Sequence, residues 1–228
     1  MSNVVLAVVA HPDDEVLGCG GALARHAAEG DRVHILILGE GATARDPQRD
    51  PQARAVDIER LQQSARRASE ILGAEPPEFA GLPDNRFDGM ELLDITKRVE
   101  AVVFELAPGI VYTHFVNDLN IDHRLTHHAV LAACRPMPGR SVRRLLAFEV
   151  CSSTELSPSD APAFRPNHFV AIDGYLQRKL EALSVYDAEM HPFPHVRSPR
   201  ALEALAHLRG AQVGVVAAEA FELVREIR

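Results

Sequence analysis

The chain is poor in the features that mark disulfide-rich, membrane-spanning and nucleic-acid-binding proteins. Its three cysteines, Cys19, Cys134 and Cys151, are widely spaced and form no CxxC pair. This pattern argues against both a disulfide framework and a thiolate metal site. A basic surface is also missing, because the net charge is -8. We therefore expect no nucleic-acid partner.

Long apolar runs are missing as well. None approaches the roughly 20 residues needed to cross a bilayer, and the N-terminus lacks the basic region of a signal peptide. We therefore expect a cytoplasmic protein without a membrane span. A length of 228 residues is sufficient for one α/β domain with a full core, which we place over residues 1–228. The sequence leaves open whether the protein forms a homo-oligomer.

Apolar, β-branched segments alternate with amphipathic segments along most of the chain. The segments predicted as strands are 3–10, 33–38, 77–82, 110–113 and 145–150. The segments predicted as helices are 16–29, 57–72, 92–106 and 124–134. This order favours βαβ units with right-handed crossovers. We therefore predict an α/β fold, namely a Rossmann-like three-layer sandwich with a mostly parallel sheet.

The remaining segments are less regular. Two polar stretches, 42–55 and 152–166, show little periodicity and are predicted as loops, the first of them mobile. The C-terminal part is predicted to contain a strand over 169–172, a helix over 173–186, a helix capped by Ser198 with Pro199 in its first turn, and a last helical stretch after Gly214.

A cluster of ionisable residues follows the first predicted strand directly. Residues 11–15 read His-Pro-Asp-Asp-Glu. Two adjacent carboxylates beside an imidazole repel each other unless a cation lies among them. Ligands of open α/β sheets bind beyond the carboxyl ends of the strands. The sequence therefore predicts a metal site at the end of the first strand.

Polar side chains also follow the later strands of the predicted sheet. They are Glu40 after the second strand, then Asp84, Asn85 and Arg86 after the third, and His114, Asn117, Asp118, Asn120, Asp122 and His123 after the fourth. Because the carboxyl ends of parallel strands share one edge of a sheet, we expect these groups to converge there.

Three residues are the predicted metal ligands. His11 and Asp14 are three residues apart across a strand-to-helix turn, so both side chains can face one point. His123, from the loop after the fourth strand, would complete a set of three nitrogen and oxygen ligands. Such a set leaves a position for water, as in catalytic zinc sites. We expect one Zn²⁺ per chain.

The neighbouring carboxylates are assigned other roles. Asp13 would be a carboxylate beside the metal that takes a proton from bound water. Glu15 and Asp122 would orient the metal ligands.

Several patterns have competing interpretations. The acidic run could be a solvated helix start. Gly18-Cys19-Gly20-Gly21 with Glu40 suggests a dinucleotide fingerprint, but GxGxxG is not matched. We expect these glycines to let a helix pack closely on the sheet. His127, four residues after His123, is predicted to lie on a structural helix face.

Candidate substrate contacts are less specific. Of the two histidines in the proline-stiffened segment 191–195, His195 is the better candidate for the site. Arg45 and Arg86 could bind an anionic or polyhydroxylated substrate, although solvated surface arginines are more frequent.

Three of these segments together resemble a known family. Residues 10–15 (Ala-His-Pro-Asp-Asp-Glu), Gly20-Gly21 and 118–124 (Asp-Leu-Asn-Ile-Asp-His-Arg) are similar to the zinc-dependent N-acetylglucosaminyl-phosphatidylinositol de-N-acetylases, the PIG-L or LmbE-like family. The resemblance implies a Rossmann-like sandwich and hydrolysis of an N-acetyl or similar amide, often on a glucosamine-like sugar. It implies His11, Asp14 and His123 as zinc ligands and Asp13 as general base.

The chain departs from this family at one position. Many members have His-Pro-Asp-His in the second motif, where the first histidine is thought to aid the tetrahedral intermediate. Asn120 takes that place here. An asparagine can donate a hydrogen bond to an oxyanion but cannot act as an imidazolium acid. His114 or His195 could supply that function.

The sequence thus predicts a zinc-dependent hydrolase that uses metal-bound water to remove an N-acetyl or other acyl group from a small, sugar-containing substrate. Glu40, Arg86, His114, Asp118 and Asp122 are expected to orient the ligands or contact the substrate. Two alternatives stay open: a non-catalytic or redox nucleotide-binding Rossmann module, and a metal hydrolase acting on another amide or an ester.

Overall fold

A computed structural model describes residues 3–228, and the strands of this part form one seven-stranded sheet. The strands are β1 (Val4–Val9), β2 (Arg32–Gly39), β3 (Glu78–Leu82), β4 (Ile110–His114), β5 (Arg144–Phe148), β6 (His168–Ala171) and β7 (Ala218–Glu226). They lie in the order β3-β2-β1-β4-β5-β7-β6. The first five pair in parallel, whereas β7 is antiparallel to β5 and β6. The predicted mostly parallel α/β fold is confirmed.

Six α-helices connect these strands in the described part of the chain. They are α1 (Asp14–Ala28), α2 (Ala55–Leu72), α3 (Leu92–Leu106), α4 (Ile121–Ala133), α5 (Leu176–Ser184) and α6 (Pro199–Ala211). Helix α6 begins as predicted, because the Ser198 side chain accepts a hydrogen bond from the Ala201 N–H. Within residues 3–228, no helix combines the length and the apolar character needed to cross a membrane.

The helices cover both faces of the sheet, as in a three-layer sandwich. Successive strand residues point to opposite faces. In β1, Val5, Ala7 and Val9 join one buried cluster with residues of α1, α2 and α5. Leu6 and Val8 join a second cluster with residues of α3 and α4. A strand buried on both faces requires a continuous apolar run, which is what β1 has.

The order of the strands creates a cleft between β1 and β4. From β1 the chain moves outward to β2 and β3, then returns to the other side of β1 to form β4. The loops that follow β1 and β4 therefore leave the sheet in opposite directions. In open α/β sheets this reversal is where ligands bind. It brings the two motif-bearing loops together.

The glycines of α1 allow close packing, as predicted. A Cβ atom on Gly18 would lie 2.2 Å from the ring of Phe148, and one on Gly21 would lie 2.8 Å from Ile172. These glycines thus face packed side chains well inside the helix, whereas a dinucleotide fingerprint needs glycines in the turn after the strand. The helix is also kinked at Cys19, where φ is −144° and ψ is 16°.

The prediction of a last helix after Gly214 is wrong. This segment forms β7, which lies between β5 and β6 and pairs with both. Its alanine, glutamate and leucine residues favour a helix in isolation. Burial of Ala218, Ala220 and Phe221 in the sheet outweighs that preference, because tertiary context overrides local propensity.

Strand β7 also carries a buried charge that holds α1 in place. The Glu219 carboxylate accepts the Gly21 and Ala22 N–H groups at 2.9 and 2.7 Å, just beyond the helix kink. It also pairs with Lys179 Nζ of α5 at 2.6 Å. Both charged side chains are buried. The pair therefore connects α1, α5 and β7.

We predict that Glu219→Ala lowers the free energy of unfolding by about 3–5 kcal/mol, because it leaves Lys179 buried without a counter-charge. Urea denaturation followed by circular dichroism measures this. Glu181→Ala, at an exposed position of α5, is the control and should cost less than about 0.5 kcal/mol. Equal losses in the two variants would contradict this account of the pair.

Candidate functional site

In the turn after β1, Asp13 lies outside helix α1 and Asp14 is the first residue of that helix. Helix α1 begins at Asp14, two residues before the predicted start, so Asp13 precedes its first turn. Asp13 has a φ of 111°, in the left-handed region that residues other than glycine rarely adopt. Such strained backbone is characteristic of functional sites. Both carboxylates are buried, with 4% of Asp13 and 1% of Asp14 exposed.

His11, Asp14 and His123 come together as a candidate metal cluster. One potential ligand atom from each lies within 4.8 Å of the others. Asp14 Oδ2 is 3.4 Å from Nδ1 of His11 and 3.3 Å from Nε2 of His123. Among the described residues, the buried Asp14 Oδ1 has no hydrogen-bond partner. A buried polar atom without a partner is costly, and a cation would supply one.

Two more carboxylates lie on the far side of the His11 ring. Its Nε2 atom is 3.1 Å from Asp122 Oδ2 and 3.4 Å from Asp84 Oδ1. Asp122 is itself fixed, because its Oδ1 accepts the Phe87 N–H at 3.0 Å. A carboxylate at one ring nitrogen orients a histidine whose other nitrogen binds metal. His11, Asp84 and Asp122 also form a second, overlapping candidate set for a cation.

His123 has an equivalent carboxylate neighbour. Its Nδ1 atom is 3.2 Å from Asp118 Oδ1. Asp118 also accepts the hydroxyls of Ser153 and Thr154, from the loop after β5. Burial would raise the pKa of Asp118, but His123 and the two hydroxyls outweigh it and lower the pKa to about 2. Asp118 is therefore a fixed anion behind His123.

The carboxyl groups of residues 13–15 differ in their proton affinity. Burial raises the pKa of Asp13 to about 7, against the opposing effect of the Arg197 guanidinium. Burial also raises the pKa of Glu15 to about 8. Although burial acts on Asp14 in the same direction, the imidazole of His123 and that of His114 hold its pKa well below the usual range. Burial therefore raises the proton affinity of Asp13, while the neighbouring Asp14 stays ionised.

Glu15 supports this turn from inside the protein. It is fully buried and accepts the Tyr186 hydroxyl at 2.6 Å and the Asp13 N–H at 3.0 Å. The second contact fixes the backbone of the strained residue. Tyr186 follows α5, so the C-terminal part of the chain anchors the motif.

His114 lies beneath the candidate cluster. It is fully buried, its ring stacks on that of His123 at 3.9 Å, and its Nε2 accepts the Ala10 N–H at 2.9 Å. Burial lowers its pKa well below the usual value. His114 is therefore a neutral group whose accepting nitrogen is already occupied by the backbone.

Asn120 and His195 occupy different positions relative to the site. Asn120 lines a pocket that lies above the candidate metal cluster. It also caps α4, since its Oδ1 accepts the Asp122 N–H at 2.8 Å. Its Nδ2 donates to Asn85 Oδ1 at 2.9 Å. His195 is exposed, does not line the pocket, and accepts the Arg197 N–H.

Two further predicted candidates, Glu40 and Arg86, do not line the pocket above the cluster. Glu40 is bound by Arg49 through two contacts of 3.0 Å. Arg86 is exposed. His127, which was expected to be structural, donates from Nδ1 to the backbone carbonyl of His114 at 2.8 Å. Arg45, by contrast, does line the pocket and pairs with Glu189.

The pocket above the cluster has a volume of about 620 Å³ and a mostly polar lining. Four polar lining residues were not predicted: Ser152, Ser153, Glu189 and Arg197. Arg197 Nη1 donates to Asp13 Oδ2 at 2.7 Å. Arg197 belongs to no motif. The nearest sequence feature that indicated a site was the proline-stiffened segment 191–195, which ends two residues before it.

Comparison with known proteins decides the family. Residues 6–134 match the model of the PIG-L family, described as GlcNAc-PI de-N-acetylase. The chain belongs to the PIG-L family. An uncharacterized deacetylase of Escherichia coli, YaiS, is 30% identical over 185 residues, which cover 78% of this chain and 88% of that protein. Membership confirms the prediction of an enzyme from a deacetylase family, which hydrolyses carbon–nitrogen bonds.

Solved structures of PIG-L-like proteins share the fold over nearly the whole chain. The crystal structure of GalB, the 4-carboxy-2-hydroxymuconate hydratase from Pseudomonas putida KT2440, superposes with a TM-score of 0.80 at 25% identity, covering 100% of this chain and 98% of that chain. N,N'-diacetylchitobiose deacetylase from Pyrococcus horikoshii gives a TM-score of 0.77 at 16% identity, covering 98% and 84%. At 16% identity the likeness is one of fold.

We predict that His123→Ala and Asp14→Ala each reduce bound metal by at least about tenfold. Each substitution removes one of three candidate ligands, and an incomplete set of ligands binds metal weakly. Elemental analysis of purified protein measures the metal content. His128→Ala, an exposed histidine on the same helix, is the control and should retain metal. Full metal content in His123→Ala would remove that residue from the ligand set.

Proposed function

We propose that the protein is a zinc-dependent hydrolase that removes an N-acetyl or related acyl group from an amino sugar or similar conjugate. One observation carries this proposal. Asp13, a buried carboxylate with a raised pKa, lies directly beside the cluster of His11, Asp14 and His123 and opens on the same pocket. A proton acceptor next to a metal site is the arrangement that hydrolysis of an amide requires.

The residues present fit a zinc ion. Two imidazoles and a carboxylate are ligands that zinc prefers, and three protein ligands leave a position open for catalysis. The buried Asp14 Oδ1 without a partner gives independent support for a cation there. When bound, zinc would lower the pKa of water from about 16 to about 7 and polarise the acyl carbonyl. We propose one zinc ion per chain.

Asp13 acts as general base and then as general acid. Burial raises the pKa of Asp13 above that of an ordinary aspartate. Its carboxylate can therefore accept the proton of the attacking water and return it to the leaving nitrogen. The water oxygen joins the acyl carbon, the carbon–nitrogen bond breaks, and a carboxylic acid and a primary amine are the products.

Asn120 is the proposed donor to the oxygen that becomes negatively charged. Its Nδ2 carries two hydrogens, and the contact with Asn85 uses one of them. The other is available to the pocket that Asn120 lines. A fixed amide donor stabilises an oxyanion without carrying a charge of its own. His114 is not placed to replace it, because it is fully buried and does not line the pocket.

The size and polarity of the pocket support a sugar-containing substrate. Its volume of about 620 Å³ lies within the range of small-molecule sites. Asn85, Ser152 and Ser153 on its walls offer hydrogen bonds of the kind that hydroxyl groups require. The description of the family as GlcNAc-PI de-N-acetylase agrees with this choice. A cytoplasmic location is part of the proposal, and three free cysteines are consistent with it.

A hydratase is the second candidate function. The likeness to GalB favours it, because that hydratase is similar over the whole of this chain. Addition of water to a carbon–carbon double bond can use the same general base. The two reactions differ in their products, since the hydratase releases no amine.

We predict that Asp13→Asn retains metal and lowers kcat by about 10²–10⁴-fold, because it removes proton transfer but no candidate ligand. Release of primary amine from N-acetylglucosamine conjugates, measured with and without a chelator, gives the rate, and elemental analysis gives the metal content. Asp160→Asn, at an exposed loop position, is the matched control. Unchanged kcat in Asp13→Asn would overturn the assignment of the base.

The same assay separates the candidate functions. Chelator-sensitive amine release from the wild-type protein supports the deacetylase. No amine release, together with metal-dependent hydration of 4-carboxy-2-hydroxymuconate, the substrate named for GalB, would replace the deacetylase with the second candidate. Release from an ester or another amide alone would keep the chemistry and change the substrate class.

A further inference from the structure

The pocket contains one arginine that contacts the proposed base directly. Arg197 lies in the segment between α5 and α6 and is far from the family motifs in the chain. Its Nη1 donates to Asp13 Oδ2 at 2.7 Å, and only 20% of its side chain is exposed. The inference drawn from this contact rests on the proposed hydrolytic function.

Within residues 3–228, no second side chain or backbone group donates a hydrogen bond to the Asp13 carboxylate. Although Asp13 occupies the position that caps α1, its side chain makes no capping hydrogen bond. Among the described residues, Arg197 is the only hydrogen-bond donor to this carboxylate. The contact between Glu15 and Asp13 involves the Asp13 backbone. The orientation of the carboxylate therefore depends on Arg197.

Arg197 is itself held from behind by the loop after β5. Its Nε donates to Ser152 Oγ at 2.7 Å. Ser152 adopts a φ of 75°, and its N–H donates to Glu155 Oε1 at 2.7 Å. A guanidinium held at Nε presents Nη1 to the carboxylate in a fixed direction, because the group is rigid and planar.

We propose that Arg197 is the positioning residue of the general base. By binding Oδ2 it fixes the rotation of the Asp13 carboxylate and leaves Oδ1, which has no hydrogen-bond donor among the described residues, to accept the proton. Catalysis depends on such placement, since a displacement of about 1 Å can cost about 10²-fold in rate. Arg197 acts through Asp13 and forms no bond to the reacting atoms.

A double-mutant cycle tests this inference. Arg197→Met keeps an unbranched, flexible apolar side chain and removes the hydrogen-bond donors. Arg197→Lys restores a positive charge without the planar guanidinium. We expect Arg197→Met to lower kcat by about 10–100-fold with unchanged KM and metal content, and Arg197→Lys to recover part of the loss. In the Asp13→Asn background, Arg197→Met should change kcat by less than about twofold, because residues that act as a unit are non-additive.

Arg200→Met is the matched control. Arg200 is exposed in the first turn of α6 and lies 4.5 Å from the centre of the Phe193 ring, so its removal perturbs the same segment without reaching Asp13. It should leave kcat unchanged. A loss in the control equal to that in Arg197→Met would show a general effect of the segment. Additive effects in the cycle, or a change in KM alone, would also overturn the inference.

A second cycle is independent of turnover. Urea denaturation of the purified wild-type protein and of the single and double variants, compared at equal metal content, reports whether Asp13 and Arg197 interact in solution, and we expect non-additive shifts of the midpoint. Additive shifts would overturn the inference whatever the activity. If the wild-type protein releases no amine, the proposed function fails, and this second cycle still decides whether the contact exists.

Discussion

The charge balance of buried carboxylates at the ends of β1 and β4 is the constraint on which the rest of the site depends. Asp13, Asp14, Glu15, Asp118 and Asp122 are all at least 95% buried. Buried carboxylates are tolerated only when they are protonated, hydrogen-bonded or paired with positive charge. Each of these residues meets that requirement differently, and the differences define their roles. Imidazoles stabilise Asp14, a guanidinium contacts Asp13, hydroxyls and backbone N–H groups satisfy the others, and a metal ion would complete the balance.

The C-terminal part of the chain supplies much of this compensation. The match to the family model ends at residue 134, yet Tyr186 binds Glu15, Lys179 and Glu219 fix α1 beyond its kink, and Arg197 binds Asp13. The motif residues therefore depend on segments whose sequence carries no motif. The first half of the chain therefore supplies the recognisable ligand and base residues. Side chains of the second half hold several of them in position.

The sequence was sufficient to predict the fold class and the approach of His11, Asp14 and His123 to one another. Strand β1 is apolar on both faces, and such a run indicates a central strand of a sheet that is covered on both sides. The rule that ligands lie at the carboxyl ends of strands then brought His11, Asp14 and His123 together. In β7 the same reasoning failed, because its helix-forming residues lie in a sheet, where the environment decides the conformation. Arg197 could not be found either, since its contact with Asp13 depends on the packing of a loop and leaves no local pattern.

The position of the cluster at the reversal between β1 and β4 has a consequence for the stability of the protein. Its candidate ligands come from two loops that leave the sheet in opposite directions, and these loops are distant in the chain. An ion held by both would join the two halves of the sheet across their shared boundary. Since an unfolded chain has no preformed set of ligands, the free energy of metal binding would also be free energy of folding. The reversal of strand order between β1 and β4 would then both form the cleft for substrate and let a bound ion stabilise the folded sheet.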